Sequence, residues 1–147
     1  MKTSLFAAVV AALALAAVSV GLAQGEKKST GKEVIYASAD QLTFKDAPFP
    51  GISSATVWGD PQKGAHGQFT RFTPGADAGM HTHTNTLTLV VIKGAYLYRD
   101  EAGEKRVGPG GFIRIPGGHK HWSGGDPAEG ALFYEESTGK FDKIDAK

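Results

Sequence analysis

From residue 33 onward the chain alternates between short apolar or mixed runs and clusters of glycine, proline and aspartate. Short runs rich in β-branched and aromatic residues, bounded in this way, are typical of strands in a sandwich or barrel. No segment of this part shows the sustained helical period with caps that predicts a helix. The pattern predicts one all-β domain, with strands at residues 34–37, 42–45, 55–58, 68–72, 87–93, 95–99, 105–107, 112–115, 119–122 and 131–135.

The apolar run of residues 5–23 differs from the others because it is longer and rich in alanine. It follows Lys2 and ends in the sequence Gly21-Leu22-Ala23, which is the arrangement of a secretory signal peptide cleaved after Ala23. An uncleaved membrane anchor is the alternative, since the run is long enough to approach a bilayer span. We expect export to the periplasm or the medium, with no membrane attachment after cleavage.

The remaining chain divides by composition into three parts. Residues 24–32 are polar and charged and are expected to form a flexible leader. Residues 33–136 contain the predicted strands and form the expected β-barrel domain. The charged residues 137–147 are predicted to be a short helical turn or a loose tail.

Charge and cysteine content exclude several classes of function. The 147-residue chain has 16 Lys+Arg and 15 Asp+Glu, so it lacks the excess of basic residues that binding to nucleic acid requires. It contains no cysteine, which excludes disulfides, thiol catalysis and thiolate metal ligands. Any transition-metal site must therefore be built from histidine, with carboxylates as the other option.

Four of the five histidines form two His-x-His pairs, His81 with His83 and His119 with His121. Residues i and i+2 of a strand point to the same face, so each pair can place two imidazoles in one interior. Imidazole is the commonest metal-binding side chain at neutral pH. The pattern favours a metal site, and hydrogen-bonded polar residues at a barrel mouth are the alternative. His66 lies in a glycine-containing loop and is predicted to be a surface or rim residue.

The spacing of glycines and proline around these histidines matches two motifs of the cupin family. They read Gly75-x5-His81-x-His83-x3-Leu87-x6-Gly94 and Gly110-x5-Pro116-x-Gly118-x2-His121. Every position of the first motif agrees except that of Leu87. The chain therefore resembles a small, exported, single-domain cupin.

This resemblance implies a jelly-roll β-barrel of two antiparallel sheets with a divalent transition metal in its mouth, whether Fe, Mn, Cu, Ni or Zn. The implied ligands are His81, His83 and His121. The family's usual glutamate ligand is replaced by Leu87, whose side chain cannot bind a metal. The site then has three histidines, or gains another ligand with His119 as the leading candidate, or has lost its metal. Poorer candidates for the additional ligand are His66, Asn85, Glu135 and Glu136.

The implied function is that of a metal-dependent oxidoreductase of dioxygenase type that acts on a small organic molecule, because a three-histidine site leaves several metal positions open. Isomerase or lyase chemistry is less favoured. The alternative is a non-catalytic periplasmic protein that binds or senses a small ligand or a metal. Trp122 and Tyr134 are predicted to line the pocket, and no catalytic residue is assigned. Cupin barrels often pair through sheet edges, so the resemblance is compatible with a homodimer.

Overall fold

The computed structural model describes residues 33–38 and 41–146, so the predicted signal peptide of residues 1–23 and the leader of residues 24–32 lie outside the described residues. The described strands are β1 (Lys45–Asp46), β2 (Ile52–Gly59), β3 (His66–Phe72), β4 (Asp77–Thr82), β5 (Leu87–Gly94), β6 (Tyr96–Asp100), β7 (Gly103–Val107), β8 (Phe112–Ile115), β9 (His121–Gly125), β10 (Ala131–Ser137) and β11 (Ile144–Asp145). In these two ranges no helix is long and apolar enough to cross a membrane.

The strands form two antiparallel sheets. One sheet has six strands in the order β1-β2-β3-β10-β5-β8, and the other has five in the order β11-β4-β9-β6-β7. Strands that are distant in sequence therefore lie side by side, β3 against β10 and β4 against β9. This arrangement confirms the predicted all-β barrel of two antiparallel sheets.

Side chains alternate between the interior and the outer surface along the strands, as the short apolar runs predict. In β5, Leu87, Leu89 and Val91 are buried, whereas Val90 and Ile92 are exposed. A helix would have grouped the buried positions by a period of about 3.6 residues. The nearly continuous apolar run of β5 is therefore a strand with one face in the core.

The barrel interior is apolar at one end and polar further along. The rings of Phe72, Tyr96 and Phe133 pack against one another with centroids 5.1 to 6.0 Å apart. Along β3 and β10 the next interior side chains are polar, namely Thr70, Gln68, His66, Glu135 and Ser137. The strands that build the apolar core thus also carry polar groups into the barrel.

Strand β4 is the main element that the apolar pattern does not predict. Its residues are mostly small, charged or histidine, and they form no apolar run. It is held by pairing with β9 on one side and β11 on the other. The prediction of a strand at residues 34–37 is wrong: these residues are exposed and pair with no strand of the described part of the chain. Of residues 42–45, only Lys45 belongs to a strand.

Gly124 and Gly125 begin a cluster of glycine, aspartate and proline of the kind that predicts a turn, yet both residues lie inside β9. Their lack of a side chain lets a neighbouring segment pass close by, because a Cβ on Gly125 would lie 2.8 Å from the carbonyl oxygen of Thr73. The turn comes later, at Asp126, whose carboxylate accepts a hydrogen bond from the N–H of Ala128.

Residues 137–146 are neither a helical turn nor a loose tail. After β10 the chain folds back along the five-stranded sheet, where β11 pairs with β4. The N–H groups of Phe141 and Ala146 donate to the carbonyl oxygens of Pro61 and Met80. Backbone hydrogen bonds hold this segment, and its charged composition does not reveal them.

Gly67 of β3 lies beside the hydrogen bond between Trp58 Nε1 and Tyr134 Oη, which are 2.8 Å apart. A Cβ at this position would overlap both groups. We expect Gly67→Ala to lower the free energy of unfolding by about 2 kcal/mol, because the packing cannot admit an extra methyl group. Urea denaturation measures this change. Gly64→Ala is the control, since a Cβ there meets no atom within 4 Å, and equal stability of the two variants would contradict the close approach.

Candidate metal centre

Three histidines come together in the barrel interior. Strand β4 carries His81 near its end, His83 follows two residues later, and β9 begins at His121. The pairing of β4 with β9 places His81 opposite His121. The three ring centroids are 4.3 to 5.5 Å apart, and one potential ligand atom of each residue lies within 4.8 Å of the others. All three side chains are buried.

Backbone carbonyls determine which ring nitrogen of each histidine carries the proton. Nδ1 lies 2.9 Å from Gly79 O in His81, 2.5 Å from Asp142 O in His83 and 3.0 Å from His119 O in His121. Because a carbonyl oxygen can only accept, each Nδ1 donates its N–H, and in the neutral imidazole Nε2 then keeps a lone pair. Histidines that bind metals are usually held in this way.

The unprotonated Nε2 atoms lie close together in a buried site. His81 Nε2 and His83 Nε2 are 3.2 Å apart, and within the described residues no hydrogen-bond partner reaches the buried Nε2 of His121. Converging lone pairs repel one another, and a buried acceptor without a partner is costly. A divalent transition metal would satisfy all three nitrogens at once, so the donor set fits such an ion.

Burial keeps two of these imidazoles uncharged. Removal from water, together with smaller effects of the neighbouring imidazoles, lowers the pKa of His81 to about 4 and also lowers the pKa of His121. At neutral pH both rings are therefore neutral, and their lone pairs are available to a metal.

The C-terminal segment holds His83, which lies beyond the end of β4. The backbone carbonyl of Asp142 accepts a hydrogen bond from His83 Nδ1. The side-chain Oδ1 of Asp142 accepts another from the N–H of Thr84 at 2.8 Å. The ring of Phe141 packs on the His83 imidazole with centroids 5.5 Å apart. These contacts fix His83 where no sheet pairing does so.

A pocket of about 330 Å³ lies beside His81 and His83. Much of its wall is apolar and includes Phe72, Leu87 and Phe133. Its polar wall residues include Gln68, Thr70, Tyr96, Ser123, Glu135 and Lys143. A concave, largely apolar space with a few polar groups suits a small organic molecule.

Comparison with known proteins places this chain in a family. Residues 47–146 match a family described as a domain of unknown function, DUF4437. The chain belongs to the DUF4437 family. No curated protein sequence matches it.

Solved cupin-like structures share the fold of this DUF4437 protein. The polyketide cyclase RemF from Streptomyces resistomycificus has a TM-score of 0.67 at 16% identity, over 78% of this chain and 87% of that one. KdgF from Halomonas sp. has a TM-score of 0.57 at 22% identity, over 69% and 92%. An RmlC-like cupin from Shewanella frigidimarina has a TM-score of 0.57 at 17% identity, over 70% and 89%. The predicted cupin fold is confirmed, and at these identities the likeness shows the fold alone.

The DUF4437 structure brings together three of the five histidines considered as metal ligands, His81, His83 and His121. His119 is exposed, and its Nε2 lies 3.0 Å from Asp100 Oδ2 instead of joining the cluster. The expectation of His119 as an additional ligand is not met, because β9 begins only at His121 and the two residues do not share one strand face. Leu87 is buried in the pocket wall and offers no ligand atom.

Three other residues lie elsewhere than predicted. His66 is fully buried at the start of β3 and is not a surface or rim residue. Trp122 donates to Asp77 Oδ1, and Tyr134 accepts from Trp58, and neither is among the residues that line the described pocket. Both aromatic side chains are out of phase with the buried positions of their strands, so they face the outer surfaces of the sheets.

Glu135 is the charged pocket residue that sequence reasoning considered only as a poorer metal ligand. A signal for its position is present in β10, where it stands in phase with Ala131 and Phe133. A carboxylate in register with the core residues of a strand faces the interior. The alternation of the strand therefore indicates a buried acid in the DUF4437 pocket.

We expect the metal-free protein to bind about one equivalent of Zn²⁺ or Co²⁺ through the three histidines. His81→Ala removes a direct ligand and should weaken binding by more than about 100-fold, since even the loss of an outer partner commonly costs 10- to 100-fold. Isothermal titration calorimetry measures stoichiometry and affinity. His119→Ala is the matched control and should bind as the wild type does. Similar losses in both variants would contradict the assignment of the cluster.

Proposed function

We propose that this protein is a metal-dependent enzyme that acts on a small organic molecule, with His81, His83 and His121 as ligands of a divalent transition metal. The observation that carries the proposal is the cluster of three buried imidazoles, whose potential ligand atoms lie within 4.8 Å of one another, beside a pocket of about 330 Å³. The lone pairs support binding of a metal, and the adjacent pocket supports a substrate within its reach.

An oxidation of dioxygenase type is the reaction class that we favour over isomerase or lyase chemistry. Three neutral imidazoles leave the charge of a divalent ion uncompensated, and Leu87 keeps the usual carboxylate position apolar. Such a donor set favours anionic or bidentate oxygen ligands and leaves room for a second small ligand. Fe, Mn or Cu held by His81, His83 and His121 would supply Lewis-acid and redox chemistry at this site.

The chain's own residues would hold the substrate. Phe72 and Phe133 offer an apolar wall that excludes water from part of the pocket. Lys143 lines the same pocket, where its ammonium group is bonded to Asp145 and lies 4.8 Å from the centroid of the Phe49 ring. Its positive charge supports the binding of an anionic group near the histidines.

We expect the metal-loaded protein to consume dioxygen with at least one compound from a panel of small organic acids, phenols and thiols. An oxygen electrode measures the rate, which should fall by more than about 100-fold in His121→Ala because a metal ligand is lost. Glu136→Gln, a change on the outer surface, should leave the rate unchanged.

Stoichiometric metal without turnover across the panel would contradict the enzyme and favour the alternative, a non-catalytic protein that binds or senses a small ligand or metal. Failure to bind any metal would contradict both functions.

Export and dimer formation stay predictions. The exposed side chains of Val90, Ile92 and Phe112 lie on neighbouring strands β5 and β8 and support a homodimer through that face. N-terminal sequencing of the protein from its native host should show a mature chain that begins at Gln24, and a chain that begins at Met1 would contradict cleavage. Size-exclusion chromatography of the mature chain distinguishes a dimer from a monomer.

A further inference from the structure

The pocket contains a buried acid on the wall that the six-stranded sheet provides. Glu135 lies on β10, is 4% exposed and lines the same pocket as His81 and His83. It does not belong to the group of residues whose ligand atoms cluster. Its carboxylate is therefore a second polar feature of the pocket, separate from the candidate metal centre.

Glu135 accepts two hydrogen bonds, and both reach the same oxygen. Gln68 Nε2 donates to Oε1 at 2.8 Å, and Thr70 Oγ1 donates to Oε1 at 2.5 Å. Both donors lie on β3, which pairs with β10 with Gln68 directly opposite Glu135. Neither of these two donors reaches Oε2. Oε2 can therefore accept a hydrogen bond from a group in the pocket that Glu135 lines.

Neither donor carries a positive charge, although buried carboxylates are normally paired with a cation. Lys143 lines the same pocket with a largely covered side chain, but its ammonium group is hydrogen-bonded to Asp145. A glutamine at position 135 would accept the same two hydrogen bonds without the cost of burying a charge. A carboxylate with two neutral donors on one oxygen therefore suits the binding of a ligand better than it suits packing.

We propose that Glu135 binds a hydrogen-bond donor, a hydroxyl or an ammonium group, on the small molecule whose other end lies at the three histidines. This inference rests on the proposed function and adds a substrate class to it. The molecule carries an oxygen ligand at one end and a donor at the other. Its body is apolar, because Phe72, Leu87 and Phe133 line the space that both ends share.

Matched pairs of small acids test this proposal by calorimetric titration of the Zn²⁺-loaded, full-length protein. The pairs are para-hydroxybenzoate with benzoate and gamma-hydroxybutyrate with butyrate, so that only the hydroxyl differs within a pair. We expect at least one hydroxylated probe to bind about 10-fold more tightly than its partner, as for a hydrogen bond to a charged acceptor.

The preference should disappear in Glu135→Gln. Because Gln68 and Thr70 both donate to Oε1, the amide oxygen would take that place and the amide nitrogen would take the place of Oε2. A nitrogen of this kind donates and cannot accept the hydroxyl proton. The variant should bind Zn²⁺ as the wild type does and should melt at or above the wild-type temperature, since it loses a buried charge.

Glu136→Gln is the matched control, because Glu136 is the next residue of β10 and is exposed on the other face. It should keep both the preference and the affinity for Zn²⁺. The proposal would be overturned by a preference that survives Glu135→Gln, or by a wild type that binds no probe or shows no preference. A much lower melting temperature of Glu135→Gln would also overturn it.

The same titrations on the metal-free protein separate this proposal from the proposed function. In one outcome the wild type takes up no Zn²⁺ but prefers the hydroxylated probes, and Glu135→Gln loses that preference. This result would contradict the metal-dependent enzyme and support the role of Glu135. Full uptake of Zn²⁺ without any preference would support the metal centre and contradict the role of Glu135.

Discussion

The antiparallel pairing of β4 with β9 is the interaction on which the candidate metal centre depends. Strand β4 has few apolar side chains that could anchor it to a core, so hydrogen bonds from its neighbours β9 and β11 position it. The register places His81 opposite His121. A shift of the register by one residue would turn a histidine from the interior to the outer surface, because side chains alternate with a period of two.

Backbone carbonyls then orient the imidazole rings of the three clustered histidines. Each imidazole of the cluster donates its Nδ1 proton to a carbonyl, and for His83 that carbonyl comes from Asp142 in the C-terminal segment. Burial supports the same result, since it lowers the pKa of His81 and of His121 and keeps their Nε2 lone pairs free of protons. Neutral rings leave their buried Nε2 atoms without hydrogen-bond donors, which costs free energy. Binding of a cation to these nitrogens would remove that cost.

The interior also carries a carboxylate, but at a different place from the one that the cupin motif would give it. The motif position is Leu87 on β5, which contributes an apolar wall, whereas the acid is Glu135 on the neighbouring strand β10. Glu135 pairs with Leu89, one inward-facing position further along β5 than Leu87. The pocket therefore has three imidazoles at one site and a carboxylate at another, so that the proposed metal binding and the proposed recognition of a donor group use different residues.

Local sequence determined much of this architecture and the identity of the clustered histidines. The strands around residues 55–58, 68–72, 87–93 and 131–135 follow from alternation and turn residues, which act over only a few positions. The resemblance to the two cupin motifs indicates His81, His83 and His121 as the ligands. Tertiary structure decided the existence of β4, the return of the C-terminal segment to β11, the separation of His119 from the cluster and the buried position of Glu135. These features depend on pairing between distant strands, and that pairing uses backbone N–H and C=O groups that nearly every residue possesses and that leave little trace in the sequence.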